Sequence, residues 1–452
     1  MSLIHLSCRR PIAKLSGVNR KSPIQWLGAL SLGLMLNGYA QANETSSKQR
    51  VKTQSITSFN NTLARKVRHT LNKYSIPGGA YAIVRGDRIA AIETFGHIDK
   101  EKSQKVNYST VFRLASVSKP FAATLTTMLA HEQKLSLNDP ITKYVPHFQL
   151  KTTGKAEKIK LKHILSHTSG LMPNTYDNLL HEKWSMDKVI GRFNRLDPIC
   201  EPEKCYGYQN IAYGFLQPAI EASQEKSYAE LLEEKVFKPL NMANASVGIG
   251  VYRDNSNTAK PHILRKRIKT GKKDKQGNAI RRYVWREVYV SPDYYKVEPA
   301  AGVNASITDL ANWLIANLGH KPEVLSPALL ADLTTPRIRT RKDLKRRHWR
   351  SHLKDAHYGY GWRVYQFDDY PIIYHSGWVE GFRADIGYSP DLGVGFAILI
   401  NAESNAINKI SSDFWASADK IAVPQQTKNI AQTTESHNQA ERHEGKAFAN
   451  HF

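Results

Sequence analysis

Two side chains in the first third of the chain have the types and spacing that covalent chemistry requires. Ser116 and Lys119 stand three residues apart in VFRLASVSKPF, and residues at i and i+3 share a helix face. A serine hydroxyl becomes a nucleophile only when a base takes its proton. A lysine serves if desolvation or a neighbouring cation favours its neutral form; a tyrosinate held by cations also serves. Tyr208 and Asn210, in CYGYQNIAYGFLQ, offer the other half of such a set at the lip of a helical segment. Neither pattern is specific alone. Ser-x-x-Lys recurs at Ser185, Ser223, Ser351 and Ser417, and Tyr-x-Asn recurs at Tyr176-Asp177-Asn178.

What singles out Ser116 is the element that follows it. Pro120 lacks an N–H and is tolerated only in the first turn of a helix, so a helix beginning near Ser116 is expected. Ser116 would then sit at the positive end of the helix dipole, with the following apolar residues anchored in a core. Ser185, Ser223 and Ser351 lie among charged residues, and Ser417 falls near the C-terminus of a helix.

The elements that must position these residues follow from periodicity. FNNTLARKVRHTLNKY (59–74) reads as a helix, and GGAYAIVRGDRIAAIETFG (78–96) as a hairpin around Arg85-Gly86-Asp87. From 116 to about 245 the pattern is mainly helical. LRKRIKTGKKDKQGNAIRRYVWREVYV reads as a basic turn region leading into a strand-like run. Thr308-Asp309 marks a helix start, and strands follow at YGWRVYQ, PIIYHSG, ADIGYSP and GVGFAILIN before a last helix. Strands at both ends and helices between them imply an α/β (α+β) fold. Its sheet part comes from about 56–120 and 300–422, with an inserted, mainly helical part over about 121–299.

The chain carries 64 Lys+Arg against 40 Asp+Glu, a net charge of +24. Residues 1–23 hold five basic residues and no acid; IQWLGALSLGLML (24–36) is apolar, and Ala40 and Ala42 precede a cleavage point. This is the pattern of a signal peptide over 1–42, and it implies export, to the periplasm or, as the alternative, by secretion. The mature chain would carry a net charge of +19 and two cysteines, Cys200 and Cys205, placed for a local disulfide. Residues 43–55 read as a flexible leader, 56–422 as the folded domain and 423–452 as a disordered tail. Histidines lack metal-ligand spacing, so no metal and no cofactor are expected. Basic clusters at 264–282 and 337–350 come without a nucleic-acid-binding module. Nucleic acid is therefore not expected as a partner, whereas an anionic cell-envelope polymer or lipid surface is compatible with the charge.

Seven segments in order, FRLASVSKPF, SLNDPITKYVP, ILSHTSGLM, YQNIAYGFL, KVFKPLNMANASVG, AAGVNASITDLANWL and YHSGWVEGF…ILIN, make the chain resemble the serine β-lactamase and penicillin-binding protein superfamily. The likeness is to its class C β-lactamase-like branch, which includes D,D-peptidase and esterase relatives. The resemblance implies an antiparallel sheet flanked by helices and an acyl-enzyme mechanism. Ser116 would be the acylated nucleophile, Lys119 its proton relay and Tyr208 the base. Asn210 would hold the substrate amide. His375-Ser376-Gly377 would stand for the Lys-Thr-Gly strand motif, in preference to the literal Lys269-Thr270-Gly271, which reads as a solvated turn. Gly377 would let a substrate backbone approach, and the N–H groups of Ser116 and Trp378 would form the oxyanion hole. His375 replaces the lysine of true class C enzymes, which implies a weaker grip on a substrate carboxylate and a pH dependence near neutrality. His167-Thr168-Ser169-Gly170 is expected to be a glycine-capped helix end beneath the cleft. Implied partners are small-molecule or peptidyl acyl donors: D-alanyl peptides, β-lactams or small esters. The rival reading is a catalytically weak binding protein that keeps the fold.

Overall fold

A computed structural model describes residues 55–274 and 276–423. The expected signal peptide lies outside the described residues, as do all but the edges of the expected leader and tail.

Helix α1 (Ile56–Lys73) starts where the Ser55 side chain accepts from the Ser58 N–H. Among the described residues thirteen strands follow in chain order: β1 (Gly78–Arg85), β2 (Arg88–Gly96), β3 (Phe112–Arg113), β4 (Ser246–Val247), β5 (His262–Lys273), β6 (Ala279–Glu287), β7 (Val303–Ala305), β8 (Ile338–Arg339), β9 (Leu353–Tyr358), β10 (Arg363–Phe367), β11 (Tyr370–Val379), β12 (Phe382–Ser389) and β13 (Val394–Ile400). Eight of them form one antiparallel sheet in the order β2-β1-β13-β12-β11-β10-β9-β8. The N-terminal hairpin is thus completed by the last strand: Gly79 pairs with Ile400 and Arg85 with Val394.

Both faces of that sheet are covered, and its central strands divide their side chains by the period of two. Tyr81 and Ile83 of β1, with Phe396 and Ile398 of β13, join Phe59, Leu63, Phe414 and Trp415 from α1 and the helix Ala406–Trp415. Ala80, Ala82, Val84, Ala397 and Leu399 face the opposite way, toward Phe121, Leu310 and Leu314. A strand buried on both faces reads as a continuous apolar run, which GVGFAILIN does.

Three local expectations need correction. The helix Ile307–Ile315 is capped by Ser306 and Asp309 acting reciprocally, so of the expected Thr308-Asp309 start only Asp309 takes part. The Ser306 hydroxyl accepts from the Asp309 N–H at 3.2 Å, and the Asp309 carboxylate accepts from the Ser306 N–H at 2.7 Å. Lys269-Thr270-Gly271 is solvent-exposed, but it lies within strand β5 and not in a turn. β5 and β6 form a separate two-stranded ribbon with little to bury along most of its length, so no apolar alternation marks it. Strands β8 and β9 were not expected at all; β8 has only two residues, and β9 (LKDAHY) has a weak alternation.

Candidate active site

Ser116 sits in a short 3-10 turn, Ala115–Val117, that runs into helix α2 (Ser118–His131). Pro120 occupies the first turn of α2 as expected. The turn is pinned from two sides: the Leu114 N–H donates to the Val303 carbonyl at 3.0 Å, and the Val303 N–H donates to the Ser118 hydroxyl at 2.9 Å. Ala115 carries a φ of +51°, a left-handed conformation that is costly for a residue with a Cβ and tends to cluster at functional sites. Ser116 is partly exposed while its neighbours on both sides are buried.

Lys119 is fully buried. Its ammonium nitrogen lies 3.2 Å from Ser116 Oγ, 2.7 Å from Asn210 Oδ1 and 3.1 Å from the Ala300 carbonyl. Burial, assisted by the Arg363 charge and opposed by Asp177, pulls the Lys119 pKa well below its ordinary value. Two of its three neighbours can only accept. A neutral amine in this position donates to both and turns its lone pair to the Ser116 hydroxyl.

The Tyr208 ring lies 4.7 Å from Lys119 Nζ. Desolvation pushes the phenol pKa up; the nearby Ser116 hydroxyl and Arg363 pull the other way without prevailing. Tyr208 therefore rests as a phenol, not as a tyrosinate. Beneath it His167 packs at 4.2 Å, ring to ring, and also touches Tyr213 and Tyr358. His167 accepts from the Gln209 N–H through Nδ1, and burial holds its pKa well below 6.5. The expected helix end is present but closes differently. Helix α3 (Leu161–Leu165) stops at Ser166, His167 takes the left-handed conformation at φ +56°, and Gly170 lies farther on. A Cβ on Gly170 would fall 2.1 Å from the Cys200 carbonyl. The Cys200–Cys205 disulfide closes the loop that presses there, and the Ile199 and Gly207 N–H groups donate to the carbonyls of Gly170 and His167.

His375 is fully buried on β11. Its Nδ1 lies 3.0 Å from the Ser376 carbonyl, which can only accept, so Nδ1 carries the proton. Nε2, 3.0 Å from the Tyr358 hydroxyl, therefore accepts. Burial, then the Arg363 and Lys119 charges, hold the ring well below its usual pKa. The expected titration near neutrality is corrected accordingly: the imidazole is neutral, and it meets Tyr358 inside the protein. Gly377 also needs a different explanation. A Cβ there would lie 2.1 Å from the Leu114 carbonyl, so the missing side chain admits the backbone that carries Ser116. Ser376 is partly exposed next to it, and Trp378 projects at the rim, 59% exposed, with Arg383 stacked 4.5 Å from its ring centre.

Several neighbours of the site were not singled out in the sequence. Tyr358 bonds His375; Arg363 lies 5.8 Å from the Tyr208 ring centre and 5.7 Å from that of Tyr358, held by an ion pair to Asp343. Asp177 Oδ2 accepts from Asn210 Nδ2 at 2.6 Å. No local pattern marks these residues, because long-range packing brings them in. Among the described residues no group of His, Cys, Asp and Glu side chains could hold a metal ion, and no helix is long and apolar enough to cross a membrane.

Comparison with known proteins accords with this geometry. The family model described as Beta-lactamase matches residues 63–419. Protein flp of Staphylococcus aureus (strain MRSA252) is 25% identical over 355 residues, covering 76% of this chain and 63% of that protein. Unguisins hydrolase ungD' of Aspergillus campestris (strain IBT 28561) is 23% identical over 356 residues, covering 75% and 61%. The chain thus spans less than two thirds of the length of these curated relatives. The octameric penicillin-binding protein homologue from Pyrococcus abyssi has the same fold, with a TM-score of 0.66 at 22% identity over 81% of this chain and 78% of that one.

Proposed function

The chain belongs to the β-lactamase family, within the serine β-lactamase and penicillin-binding protein superfamily, and from this premise we propose that it is an exported serine hydrolase of the class C-like branch. It acts through an acyl-enzyme on Ser116, with D-alanyl peptides, β-lactams or small esters as candidate donors. The observation that carries the reading is the Lys119 contact to Ser116, in a site where burial and the Arg363 charge favour a neutral amine and two acceptors orient it.

In the proposed reaction Lys119 takes the Ser116 proton as Oγ bonds to the acyl carbon. The oxyanion is stabilised by the N–H groups of Ser116 and Trp378; the close crossing of β11 under Leu114 at Gly377 supports that pairing. The bond from acyl carbon to leaving group then breaks. The proton reaches the leaving atom through the Tyr208 hydroxyl, which receives one from Lys119 as it gives one up. Water enters, Tyr208 and Lys119 take its proton in the reverse sense, and the ester to Ser116 is hydrolysed. Neutral, buried His375 supplies no cation for a substrate carboxylate, which favours uncharged esters among the three donor classes.

A panel of nitrocefin, a D-Ala-D-Ala peptide and p-nitrophenyl esters, with Ser116→Ala as control, tests the proposal. Acyl-enzyme formation on Ser116 with an activated ester or fluorescent penicillin is expected. Absence of any label on Ser116 across pH would leave the non-catalytic binding reading in its place.

A specific observation also bears on where the enzyme would work. Nine Lys and Arg residues of β5 and β6 make no ion pair among the described residues, and Lys269 stands directly opposite Arg281, an unfavourable pairing. In the other basic cluster, by contrast, Arg337 and Arg339 are paired and Arg346 bonds Tyr365 and Tyr374. The ribbon is anchored at its base, where Trp285 donates to the Tyr74 carbonyl. This uncompensated charge supports docking on an anionic envelope lipid surface. Cosedimentation with phosphatidylglycerol vesicles, lost at high salt and in a Lys266→Glu, Lys269→Glu, Arg281→Glu variant, is the expected result. Binding to a soluble polyphosphate but not to vesicles would overturn it.

A further inference from the structure

The second Tyr-x-Asn of the chain does not duplicate the first; it completes it. Tyr176 turns into the core, where its hydroxyl donates to the Arg192 carbonyl at 3.0 Å and its ring meets Phe193. Asn178 bonds Glu182. Between them Asp177, the first residue of helix α4 (Asp177–His181), turns its carboxylate to Asn210. Asp177, Asn210, Lys119 and Ser116 thus form a continuous chain with separations of 2.6, 2.7 and 3.2 Å. The other carboxylate oxygen of Asp177 is buried without a hydrogen-bond partner among the described residues, an expensive arrangement.

The bonded oxygen fixes the orientation of the Asn210 amide. Asn210 has an acceptor at one end and two donors at the other. An ionised carboxylate accepts only, so Asp177 dictates that the NH2 end faces it and the oxygen faces Lys119. That oxygen and the Ala300 carbonyl then occupy two lysine N–H groups, which leaves the lone pair for Ser116. The reverse amide would place its NH2 against Lys119 and compete with Ser116 for the lone pair. One of the two Asn210 donors is thus engaged by Asp177, which leaves the other N–H for the substrate amide that the family likeness implies.

We propose that Asp177 is a positioning residue acting through Asn210: it locks the amide orientation that aims the Lys119 lone pair at Ser116, and it sets the charge balance around that lysine. The inference rests on the reading of Ser116 and Lys119 as nucleophile and base. Lys119 is faced by Asp177, Arg363, His167, His375, Tyr208 and Tyr213. The two histidines are neutral and the two tyrosines protonated, so Asp177 supplies the negative charge that counters, at Lys119, the effect of Arg363, which is itself paired with Asp343. Asp177 itself is faced by Asn210, Lys119, His181 and Tyr294.

Asp177→Asn and Asp177→Ala in the full chain separate the two effects. An asparagine carbonyl still accepts from Asn210, so Asp177→Asn removes charge but keeps orientation. The ammonium form of Lys119 is then less favoured, and a base that must be neutral becomes available at lower pH. The expected result is an acid-ward shift of about one pH unit, both in the Lys119 resonance of 13C-lysine-labelled protein and in the ascending limb of the pH–rate profile. Asp177→Ala removes orientation too, and kcat should fall about 10²-fold with little change in KM. An unmoved Lys119 titration in Asp177→Asn overturns the proposal, whether or not Asp177→Ala folds. If the wild type turns over no acyl donor but the Lys119 titration moves, the hydrolase reading fails while the coupling of Asp177 to Lys119 stands.

Discussion

His375 Nε2 accepts from the Tyr358 hydroxyl at 3.0 Å, so the side chain that the family resemblance casts as the counterpart of a substrate-gripping lysine meets a buried phenol instead. The imidazole is one wall of an aromatic box, with His167, Tyr206 and Tyr208 around Tyr358.

Two buried neutral histidines make stability pH-dependent in a definite sense. His375 and His167 both have folded pKa values well below 6.5, whereas each titrates near 6.5 in the unfolded chain. Below that value the unfolded state binds protons that the folded state refuses. Their contribution is therefore fully present above about pH 6.5 and is lost as the pH falls from there toward the folded values, at about 1.4 kcal/mol per pH unit for each ring. Chemical denaturation from roughly pH 7.5 to 5 should show this slope, reduced in His167→Phe. Stability that is flat over the range would contradict the neutral assignment.

Tyr208→Phe distinguishes the proton paths. If Lys119 is the first acceptor, the variant still acylates Ser116 with an activated ester whose leaving group needs no proton. Turnover of a poorer donor should fall on the order of 10²–10⁴-fold. Complete loss of labelling would instead make Tyr208 the base that activates Ser116.

Gly377→Ala should be damaging although it adds one methyl group. The new Cβ would meet the Leu114 carbonyl, and overpacking of this kind costs about 1–3 kcal/mol. Because Leu114 leads directly into Ser116, the acylation rate should fall together with Tm. Retained activity in a destabilised variant would show that the turn relaxes without moving the nucleophile.

Trp378→Ala should behave in the opposite way. The side chain is largely exposed and touches Arg383, so the stability change should stay within about 0.5 kcal/mol. KM for bulky acyl donors should rise if the indole borders the bound substrate. An unchanged KM across the panel would remove Trp378 from the binding surface while leaving its backbone role untested by this variant.

Much of the architecture was legible because it depends on short-range pattern. Pro120 places the start of α2, the hairpin around Gly86 is marked by its turn, and continuous apolar runs mark strands covered on both faces. Ser116, Lys119, Tyr208 and Asn210 could be singled out because each belongs to an extended segment. Asp177 and Arg363 could not, since they reach the site only through the packing of α4 and β10. His375 was found but given a substrate-gripping role, because strand position alone does not reveal that Tyr358 lies opposite it. The ribbon strand holding Lys269 was missed for the converse reason: without a core to face, a strand has no need to alternate.

The pairing of β1 with β13 has a consequence for timing. The sheet under the nucleophile cannot close until the last strand arrives, since Gly79 finds its partner only at Ile400. Pairings this remote in sequence form late and slowly. During synthesis Ser116 and Lys119 appear early, but β11 with His375 and Gly377 is made near the end. A chain still being threaded or held unfolded therefore has the reactive residues without the enclosure that desolvates Lys119. On the proposed mechanism, reactivity would come only with completion of the sheet.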